Sequence, residues 1–548
     1  MSLIEEFRSA IELQQREDDE NFDEEMSLSL HERVAKGSSM INLKVIFDFY
    51  VSAPNPYCPN ISMPNKFIKA AHIHCQNNIS KFREGATVWL SNKGHKFKMD
   101  IIEDSLNNFI LAPNNYDVKD CYINSDNYLD NNWEINMVKT SITQKLLEAT
   151  ANNLISDLPR LNKIESLFNG SLNNKIISQD SFSLLNDSQN LSINKAISVS
   201  DFHLIQGPPG TGKTETIAQI AKILVDKGKR VFVSGPTHTS INNCLNAIAI
   251  KLKDATKLVK IGEKYQAAEI IHNENITRKT RLPFETYNNS SELPKDGIII
   301  GSTPYSLCYP ASKRLNEWEF DVALIDEAAQ MSIPLAISIM SKANKFIFVG
   351  DHKQLAPIIP SKSGNSMFSG SIFSKLVKLY PNEISLLNIS YRLNRDLIRI
   401  PNKLFYDNQL KSDHSLKQDL KEFHSGIHSE MLNHEDSKIL YLHKTFDSQG
   451  RSPYEAQLVS ELVRDLIDNN IKIKDIGVLT PYRAQVREIN KALNAKIGDS
   501  FPDFNELLFV DTVDRMQGQE RDYIIYSMSN SHPLESKRRL DFFYSPNR

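Results

Sequence analysis

From residue 200 onward, the chain alternates nearly continuous apolar runs with longer segments in which apolar residues recur at helical spacing. Such runs are typical of strands that are covered on both faces, as in a parallel sheet with helical crossovers. The runs form two series, so the pattern predicts two doubly wound α/β domains in succession. The first series lies at residues 202–206, 231–234, 297–300, 322–325 and 346–349, and the second at 384–387, 439–442, 476–479, 507–510 and 523–527.

A different pattern of apolar and polar residues precedes these domains. In residues 85–139, short alternating runs are separated by Asn, Asp, Gly and Pro, which is typical of a small β-barrel. Leu147 and Leu154 then share one face of an apolar segment that Pro159 stops, and this spacing predicts a stalk helix over 140–158.

These patterns divide the chain into five parts. The first 35 residues are dense in Asp and Glu, and they indicate either an acidic solvated helix or tail, or a docking surface for a basic protein partner. The predicted parts are an acidic and mixed segment of unknown role at 1–84, the barrel at 85–139, the stalk helix and linker at 140–180, the first α/β domain at 181–376 with a polar insertion at 250–296, and the second α/β domain at 377–548.

Composition narrows the class of protein. With 548 residues, 40% hydrophobic and 24% charged, the chain is of ordinary globular composition and long enough for several domains. A net charge of −3 excludes a polycation that coats nucleic acid, so any nucleic-acid path has to be local. Five scattered cysteines favour a reducing compartment, and no apolar stretch has the length of a membrane span, so we expect a cytoplasmic protein.

The most informative motif is Gly-Pro-Pro-Gly-Thr-Gly-Lys-Thr at 207–214, between the first apolar run and an amphipathic helix. Gly207 and Gly212 allow the backbone to turn its N–H groups toward an anion. Lys213 can reach the β- and γ-phosphates of a nucleotide, and Thr214 offers a hydroxyl to Mg²⁺. Because the start of the following helix adds a positive field, this segment predicts a phosphate-binding loop.

Two carboxylates follow a buried strand of the same predicted sheet. Asp326 and Glu327 come directly after the run at 322–325, at the edge where a doubly wound sheet places its site. Asp326 is suited to hold Mg²⁺ through water, and Glu327 to orient and deprotonate an attacking water. Gln354 follows the next strand at the same edge, where it could sense a γ-phosphate.

In their order along the chain, these blocks resemble the superfamily 1B helicases, in particular the nonsense-mediated-decay helicase group and its bacterial relatives. The resemblance covers about residues 85–548. It implies two tandem RecA-like domains, preceded by the barrel and the stalk. The most specific blocks are GPPGTGKT at 207–214, DEAAQ at 326–330, GDHKQLAP at 350–357, YR at 391–392 and DTVDRMQGQERD at 511–522.

The resemblance also implies a nucleotide and roles for the residues around it. Gln189 is similar to the glutamine that reads adenine, and Tyr391 to the ring that stacks on it, so the nucleotide is expected to be ATP. The expected catalytic residues are Lys213, Asp326, Glu327, Gln354 and Arg392, with Mg²⁺ at Thr214 and Asp326. The expected nucleotide contacts are Gln189, Gly207, Pro208, Pro209, Gly210, Thr211, Gly212, Lys213, Thr214, Tyr391, Arg392 and Glu520.

A single strand of RNA or DNA is the partner that the resemblance implies. Small hydroxyls, backbone groups and an aromatic ring at strand ends can hold phosphates and a base face without reading sequence. The implied activity is ATP-dependent translocation or unwinding with 5′ to 3′ polarity. The blocks expected to line the strand contain Pro236, Thr237, His238, Ser302, Thr303, Pro481, Tyr482 and Arg483.

One departure from the family concerns the end of the chain. The family continues beyond the segment at 543–548 into a helix with a second γ-phosphate arginine and a closing strand. We therefore expect an incomplete second domain that a partner could complete, and weakened hydrolysis. An ATP-gated nucleic-acid clamp or interaction module with little turnover is the alternative function.

Overall fold

The computed structural model shows, in the residues that it describes, a mixed α/β protein with an antiparallel barrel and with parallel sheets in both α/β domains. Several predictions lie outside the described residues: the strand at 439–442, most of the insertion at 250–296, and the segment at 543–548. The structure describes residues 2–49, 66–75, 80–82, 86–93, 95–104, 108–114, 121–123, 132–139, 142–252, 257–261, 270–271, 277–278, 297–308, 318–357, 370–416, 423–429, 450–516 and 519–529.

Six antiparallel strands close into a barrel, because the first strand pairs with strands at both ends of the order β1-β7-β3-β4-β5-β2. Alternate side chains such as Val88 and Leu90 point into its core, as the two-residue period of a strand requires. The strands are β1 Ser39–Phe49, β2 Lys66–His74, β3 Thr87–Asn92, β4 His95–Asp104, β5 Asn108–Pro113, β6 Tyr122–Ile123, which pairs with β2, and β7 Trp133–Met137.

The barrel begins at Ser39 rather than at the predicted residue 85, so it includes part of the segment that had no assigned role. Strand β1 buries Leu43, Val45 and Phe47, but the outward position between the last two holds Ile46, which is 61% exposed. An apolar residue on the solvent face removes the alternation by which a half-buried strand is identified.

Helices precede the barrel in the chain, and further helices connect it to the first α/β domain. The predicted stalk helix at 140–158 is confirmed as α3, and Asp157 caps the next helix where α3 ends. The acidic N-terminal segment is also helical, and the one face that it buries, formed by Phe7, Ala10 and Ile11, belongs to the same core as α3. These helices are α1 Leu3–Ser27, α2 Leu30–Lys36, α3 Ile142–Ser156 and α4 Leu158–Phe168.

A seven-stranded parallel sheet in the order β10-β13-β9-β14-β15-β8-β16 forms the first α/β domain. One face packs against α5, α6 and α7, and the other against α1, α3, α4, α8 and α9. The elements are α5 Asp187–Ser198, β8 Phe202–Gln206, α6 Lys213–Asp226, β9 Arg230–Ser234, α7 His238–Lys251, β10 Leu258–Lys260, β13 Ile298–Gly301, β14 Phe320–Ile325, α8 Ile333–Met340, β15 Ala343–Gly350, α9 Ile372–Leu379 and β16 Ile384–Leu386.

Strand β16 corrects the predicted boundary at residue 377. It pairs in parallel with β8 and so belongs to the first sheet, although its apolar run was assigned to the second. A run of apolar residues shows that a strand is buried but does not show which sheet it joins. Outside the two large sheets, the insertion contributes one described hairpin of two short strands, β11 Ile270–Ile271 and β12 Thr277–Arg278.

The described part of the second α/β domain contains a parallel sheet in the order β20-β19-β21. Its elements are β17 Ile389–Ser390, α10 Arg395–Phe405, β18 Lys411–Ser412, α11 Pro453–Asp468, β19 Ile476–Thr480, α12 Arg483–Ile497, α13 Phe504–Leu507, β20 Phe509–Thr512, α14 Val513–Met516 and β21 Tyr523–Tyr526. Among the described residues, 3-10 helices lie at Pro304–Cys308, Ala328–Gln330, Pro381–Glu383 and Ile473–Asp475. Within the described residues, no helix has both the length and the apolar character of a membrane span.

Candidate nucleotide site and nucleic-acid interface

The predicted phosphate loop forms a tight turn between β8 and α6. Gly210 and Gly212 have left-handed backbones with φ of 71° and 78°, a conformation that favours glycine. Lys213 Nζ donates to Gly207 O at 2.8 Å, and Thr211 Oγ1 donates to the carbonyl of the first proline at 2.7 Å. The loop therefore supports itself and keeps its ammonium group at the start of α6, where an anion would bind.

Gln189 and Tyr391 lie on either side of this loop. Gln189 is 3% exposed, and its Nε2 donates to Thr211 O at 3.2 Å. Asn186, which caps α5, donates from Nδ2 to Tyr391 Oη at 2.8 Å. Tyr391 also donates its backbone N–H to Gly210 O at 2.8 Å. The two residues expected at the adenine therefore both contact the phosphate loop, Gln189 at Thr211 and Tyr391 at Gly210.

Asp326 and Glu327 lie at the end of β14, as predicted. Burial, together with the neighbouring Glu327 carboxylate, raises the pKa of Asp326 to about 6. Cys244 Sγ donates to Asp326 Oδ2 at 3.1 Å, whereas Asp326 Oδ1 is buried and has no hydrogen-bond partner among the described residues. Glu327 has a left-handed backbone with φ of 49°, which is uncommon for a non-glycine residue and is found at functional sites.

A buried carboxylate with one oxygen left without a partner fits a magnesium site, because Mg²⁺ takes oxygen ligands and keeps several waters. The hydroxyl of Thr214 lies in the first turn of α6, at the phosphate loop. Within the described residues, no cluster of three or more His, Cys, Asp and Glu side chains forms another metal site. Asp326 and Thr214 are therefore the residues that could hold the ion.

Asp351, to which the sequence analysis assigned no role, connects Gln354 to the second half of the chain. It is 1% exposed and accepts hydrogen bonds from Gln354 Nε2 at 2.8 Å and Gln206 Nε2 at 3.0 Å. Tyr406 Oη donates to the same carboxylate at 2.5 Å, and burial raises the pKa of this phenol. Because Tyr406 follows α10, Gln354 is coupled to an element beyond the first sheet. The position of Asp351 directly after a strand could have identified it from the sequence. No pattern in the sequence pointed to Tyr406.

Arg392 and Glu520 form an ion pair with each other. Both were expected to contact the nucleotide, and the structure brings them together although 128 residues separate them. Arg392 also lies against the phosphate loop, since a Cβ added to Gly210 would lie 2.3 Å from Arg392 Cβ. Ser390 Oγ donates to Pro209 O at 3.1 Å in the same contact. The expected nucleotide residues of both halves thus meet at one loop.

The predicted strand-contacting residues of the first domain differ in accessibility. Thr237 caps α7 and is exposed, and Pro236 and His238 beside it are half-buried. His238 Nδ1 lies 2.8 Å from Lys260 Nζ. Ser302 and Thr303 are buried, and Ser302 Oγ donates to a backbone carbonyl at 3.4 Å. The start of α7 is therefore the accessible part of this block.

In the second domain, the corresponding block contacts the barrel. Pro481 is buried, and the ring of Tyr482 packs against Gly450. Arg483 Nη2 donates to Asp104 Oδ2 at the end of β4 at 2.7 Å. The next turn of α12 makes a second contact, in which Arg487 donates to Ser80 O at 2.6 Å. In this structure Arg483 is paired with a buried carboxylate while its own side chain stays partly exposed.

Comparisons with known proteins agree with the phosphate loop and the second domain. Family models described as AAA domain match residues 184–293 and 288–362, and residues 368–548. These matches define a protein with nucleotide-binding α/β domains. With its helicase relatives, the chain belongs to the superfamily 1 helicases, which confirms the resemblance at the level of the superfamily.

Two curated relatives illustrate the match. The chain is 30% identical to the DNA replication ATP-dependent helicase/nuclease DNA2 of Saccharomyces cerevisiae, over 63% of this chain and 23% of that protein. It is 29% identical to an uncharacterized ATP-dependent helicase of Methanocaldococcus jannaschii, over 65% of each chain. The chain thus spans less than two thirds of either relative.

Among solved structures, the arterivirus nonstructural protein 10 helicase matches with 13% identity, covering 86% of this chain and 78% of that chain at a TM-score of 0.37. A score this low carries no argument. The α/β fold is instead defined by the order and parallel pairing of the strands themselves.

Proposed function

We propose that the chain is an ATP-driven motor that moves along a single nucleic-acid strand. The observation that carries this proposal is the approach of the second half of the chain to the phosphate loop. Tyr391 N donates to Gly210 O at 2.8 Å, and Arg392 lies beside the same glycine. A nucleotide bound at the loop would contact both halves, so that its binding and hydrolysis would change how they are held together.

The proposed chemistry assigns one task to each charged group. Lys213 and the start of α6 hold the phosphates, and Glu327 orients the attacking water and accepts its proton. Arg392 stabilises the charge on the transferred phosphoryl group once it exchanges Glu520 for phosphate oxygens. Gln354 contacts the γ-phosphate, and its hydrogen bond to Asp351 links that contact to α10.

We assign the metal of this site to Mg²⁺. The support is the buried Oδ1 of Asp326, which has no hydrogen-bond partner among the described residues, together with the hydroxyl of Thr214 at the loop. When bound there, the ion would supply positive charge that offsets the negative charge of the phosphates. Cys244 holds the second oxygen of Asp326, so the carboxylate is oriented before the ion arrives.

The proposed substrate is single-stranded DNA, with RNA as the other class to be compared. The relatives whose printed names include a process are DNA replication helicases, and this favours DNA. Residues at the start of α7 and of α12 are proposed to face the strand, which needs phosphate contacts and a stacking ring but no base reading. The proposed 5′ to 3′ polarity rests on the family resemblance.

The test compares ATP turnover with and without single-stranded DNA or RNA of matched length. We expect the strand to stimulate turnover, Lys213→Ala to lose ATP binding, and Glu327→Gln to keep ATP binding while turnover falls by about 10²- to 10⁴-fold. Lys222→Ala, at a partly exposed lysine of α6, is the matched control, and it should behave as wild type. An ATP turnover rate that is the same with and without the strand would contradict the motor. Displacement of streptavidin from one end of a labelled strand, and not from the other, would give the polarity.

One observation favours a second candidate, an ATP-gated clamp with little turnover. Arg392 is already paired with Glu520, so its charge is neutralised in this structure. If ATP cannot break that pair, the protein would grip a strand without efficient hydrolysis. Strand binding that depends on ATP, with negligible phosphate release in wild type and higher phosphate release in Glu520→Gln, would establish the clamp.

Two further parts of the proposal concern the surroundings of the protein. We propose a reducing, cytoplasmic location, supported by the described cysteines Cys75, Cys121 and Cys244, which are free thiols. A basic protein partner of the exposed acidic side of α1 is also proposed. Microscopy of the labelled protein would test the location. Loss of copurification when the acidic residues of α1 are replaced would test the partner.

A further inference from the structure

A buried lysine contacts a residue of the proposed strand-binding surface. Lys260, the last residue of β10, is 1% exposed, and its Nζ lies 2.8 Å from His238 Nδ1. His238 is the first residue of α7, directly after the cap residue Thr237. Thr237 and Thr239, on either side of the histidine, are exposed, so the ring stands at the edge between the core and the surface.

The chemistry of the pair determines where the imidazole carries its proton. An ammonium group has only donors, so Nδ1 of His238 has to accept the hydrogen bond and carries no proton. A neutral imidazole with an unprotonated Nδ1 has its N–H at Nε2. Lys260 therefore selects one tautomer of the ring and holds it through a hydrogen bond from strand β10.

The ionisation of both groups agrees with this arrangement. Burial, with the Lys260 charge as a second cause, lowers the pKa of His238 to about 3, while burial lowers the pKa of Lys260 to about 8. Near neutral pH the lysine is therefore mostly charged and the ring is neutral. The histidine then offers a fixed N–H donor and no net charge.

We propose that Lys260 is a positioning residue that holds His238 as an Nε2–H donor to the phosphate or sugar oxygens of the bound strand. This role rests on the proposed function, because it needs a strand at the start of α7. Such a donor does not read sequence, which suits a motor that moves over every base. Lys260 itself is too buried to reach a phosphate, and it acts through the ring.

The test is strand affinity in four variants, measured by fluorescence anisotropy with labelled oligothymidylate. Lys260→Met removes the donor to Nδ1, and we expect about a tenfold weaker affinity, the usual size of one hydrogen bond to a charged acceptor. Lys260→Arg keeps a donor and should retain most of the affinity. His238→Ala should lose as much as Lys260→Met, and the double variant should lose no more than His238→Ala alone.

Salt dependence separates positioning from a direct phosphate contact. If Lys260 acts through the ring, the slope of log affinity against log salt stays at the wild-type value in Lys260→Met. If Lys260 contacts a phosphate itself, the slope becomes shallower by about 0.7. Nitrogen NMR of the labelled imidazole gives a further readout: the Nε2–H form in wild type, and loss of that single form in Lys260→Met.

The outcomes distinguish this role from the function on which it depends. Binding of a fluorescent ATP analogue reports whether each variant is folded, and we expect it to be unchanged in Lys260→Met. Wild-type protein that binds no strand would overturn the proposed function and this role with it. Wild-type binding with an unaffected Lys260→Met, additive losses in the double variant, or a shallower salt slope would overturn the positioning role alone.

Discussion

At the residue scale, the candidate site depends on side chains from distant parts of the chain. Lys213 and Asp326 could be identified from the sequence, because each lies in a short motif whose chemistry is local. Cys244 could not, since 82 residues separate it from the carboxylate that it contacts. The same holds for Tyr406, which reaches Asp351 from beyond α10. Local motifs therefore predict the reacting groups, whereas only the fold reveals the groups that orient them.

A buried histidine in β8 makes the first α/β domain sensitive to acid. Burial, followed by the charges of Lys195 and Lys345, lowers the pKa of His203 from 6.5 to about 3. A neutral histidine that is harder to protonate in the folded state stabilises the fold above its unfolded pKa. This stabilisation is lost as the pH falls from about 6.5 towards 3, at about 1.4 kcal/mol per pH unit.

We therefore predict that His203→Asn unfolds at a temperature that depends less on pH between 6.5 and 4 than wild type. The amide keeps a polar partner for Ser385 Oγ, which lies 3.0 Å from His203 Nε2, but it does not titrate. Thermal unfolding at several pH values measures the difference in slope. His31→Asn on the exposed side of α2 is the matched control, and parallel slopes for wild type and His203→Asn would contradict the prediction.

At the element scale, the parallel strands could be predicted and their partners could not. Apolar runs located β8, β9, β14 and β15 because both faces of those strands are buried. The sheet that β16 joins is decided by the open edge next to β8, which leaves no trace in a short run. The hydrophobic pattern thus identifies a strand, whereas the strands that it pairs with depend on the path of the whole chain.

The phosphate loop and the segment after β17 meet at a glycine, and this contact predicts the effect of one methyl group. A Cβ at Gly210 would lie 2.3 Å from Arg392 Cβ, so Gly210→Ala has to displace Arg392 and, with it, Tyr391. We predict about a tenfold loss of ATP affinity, because the stacking ring and a charged contact move together. Titration with a fluorescent ATP analogue measures the loss.

Gly228 provides a matched control for the backbone cost. It has φ of 74°, close to the 71° of Gly210, but no atom lies within 4 Å of its added Cβ. Both alanine variants should lose about 1 to 2 kcal/mol of stability from the left-handed conformation. Only Gly210→Ala should lose ATP affinity. Equal affinity in the two variants would show that the close approach has no part in binding the nucleotide.

At the scale of the whole molecule, the barrel is attached to the second α/β domain through a residue that is proposed to bind the strand. Arg483 donates to Asp104 at 2.7 Å, and the Asp104 side chain is only 6% exposed. Burial raises the pKa of Asp104, with nearby arginines acting in the opposite direction. An arginine in this pair cannot at the same time neutralise a phosphate, so the position of the barrel and strand binding should be coupled.

Asp104→Asn tests this coupling, because it removes the charge that competes with phosphate while it changes the shape of the side chain little. We predict severalfold tighter binding of single-stranded DNA, and a slope of log affinity against log salt that is steeper by about 0.7, as one added phosphate contact requires. Glu103→Gln, on the exposed neighbour in β4, removes the same charge without this contact and should leave the slope unchanged. Weaker binding by Asp104→Asn would instead mean that the strand is gripped only when the barrel stays attached to α12.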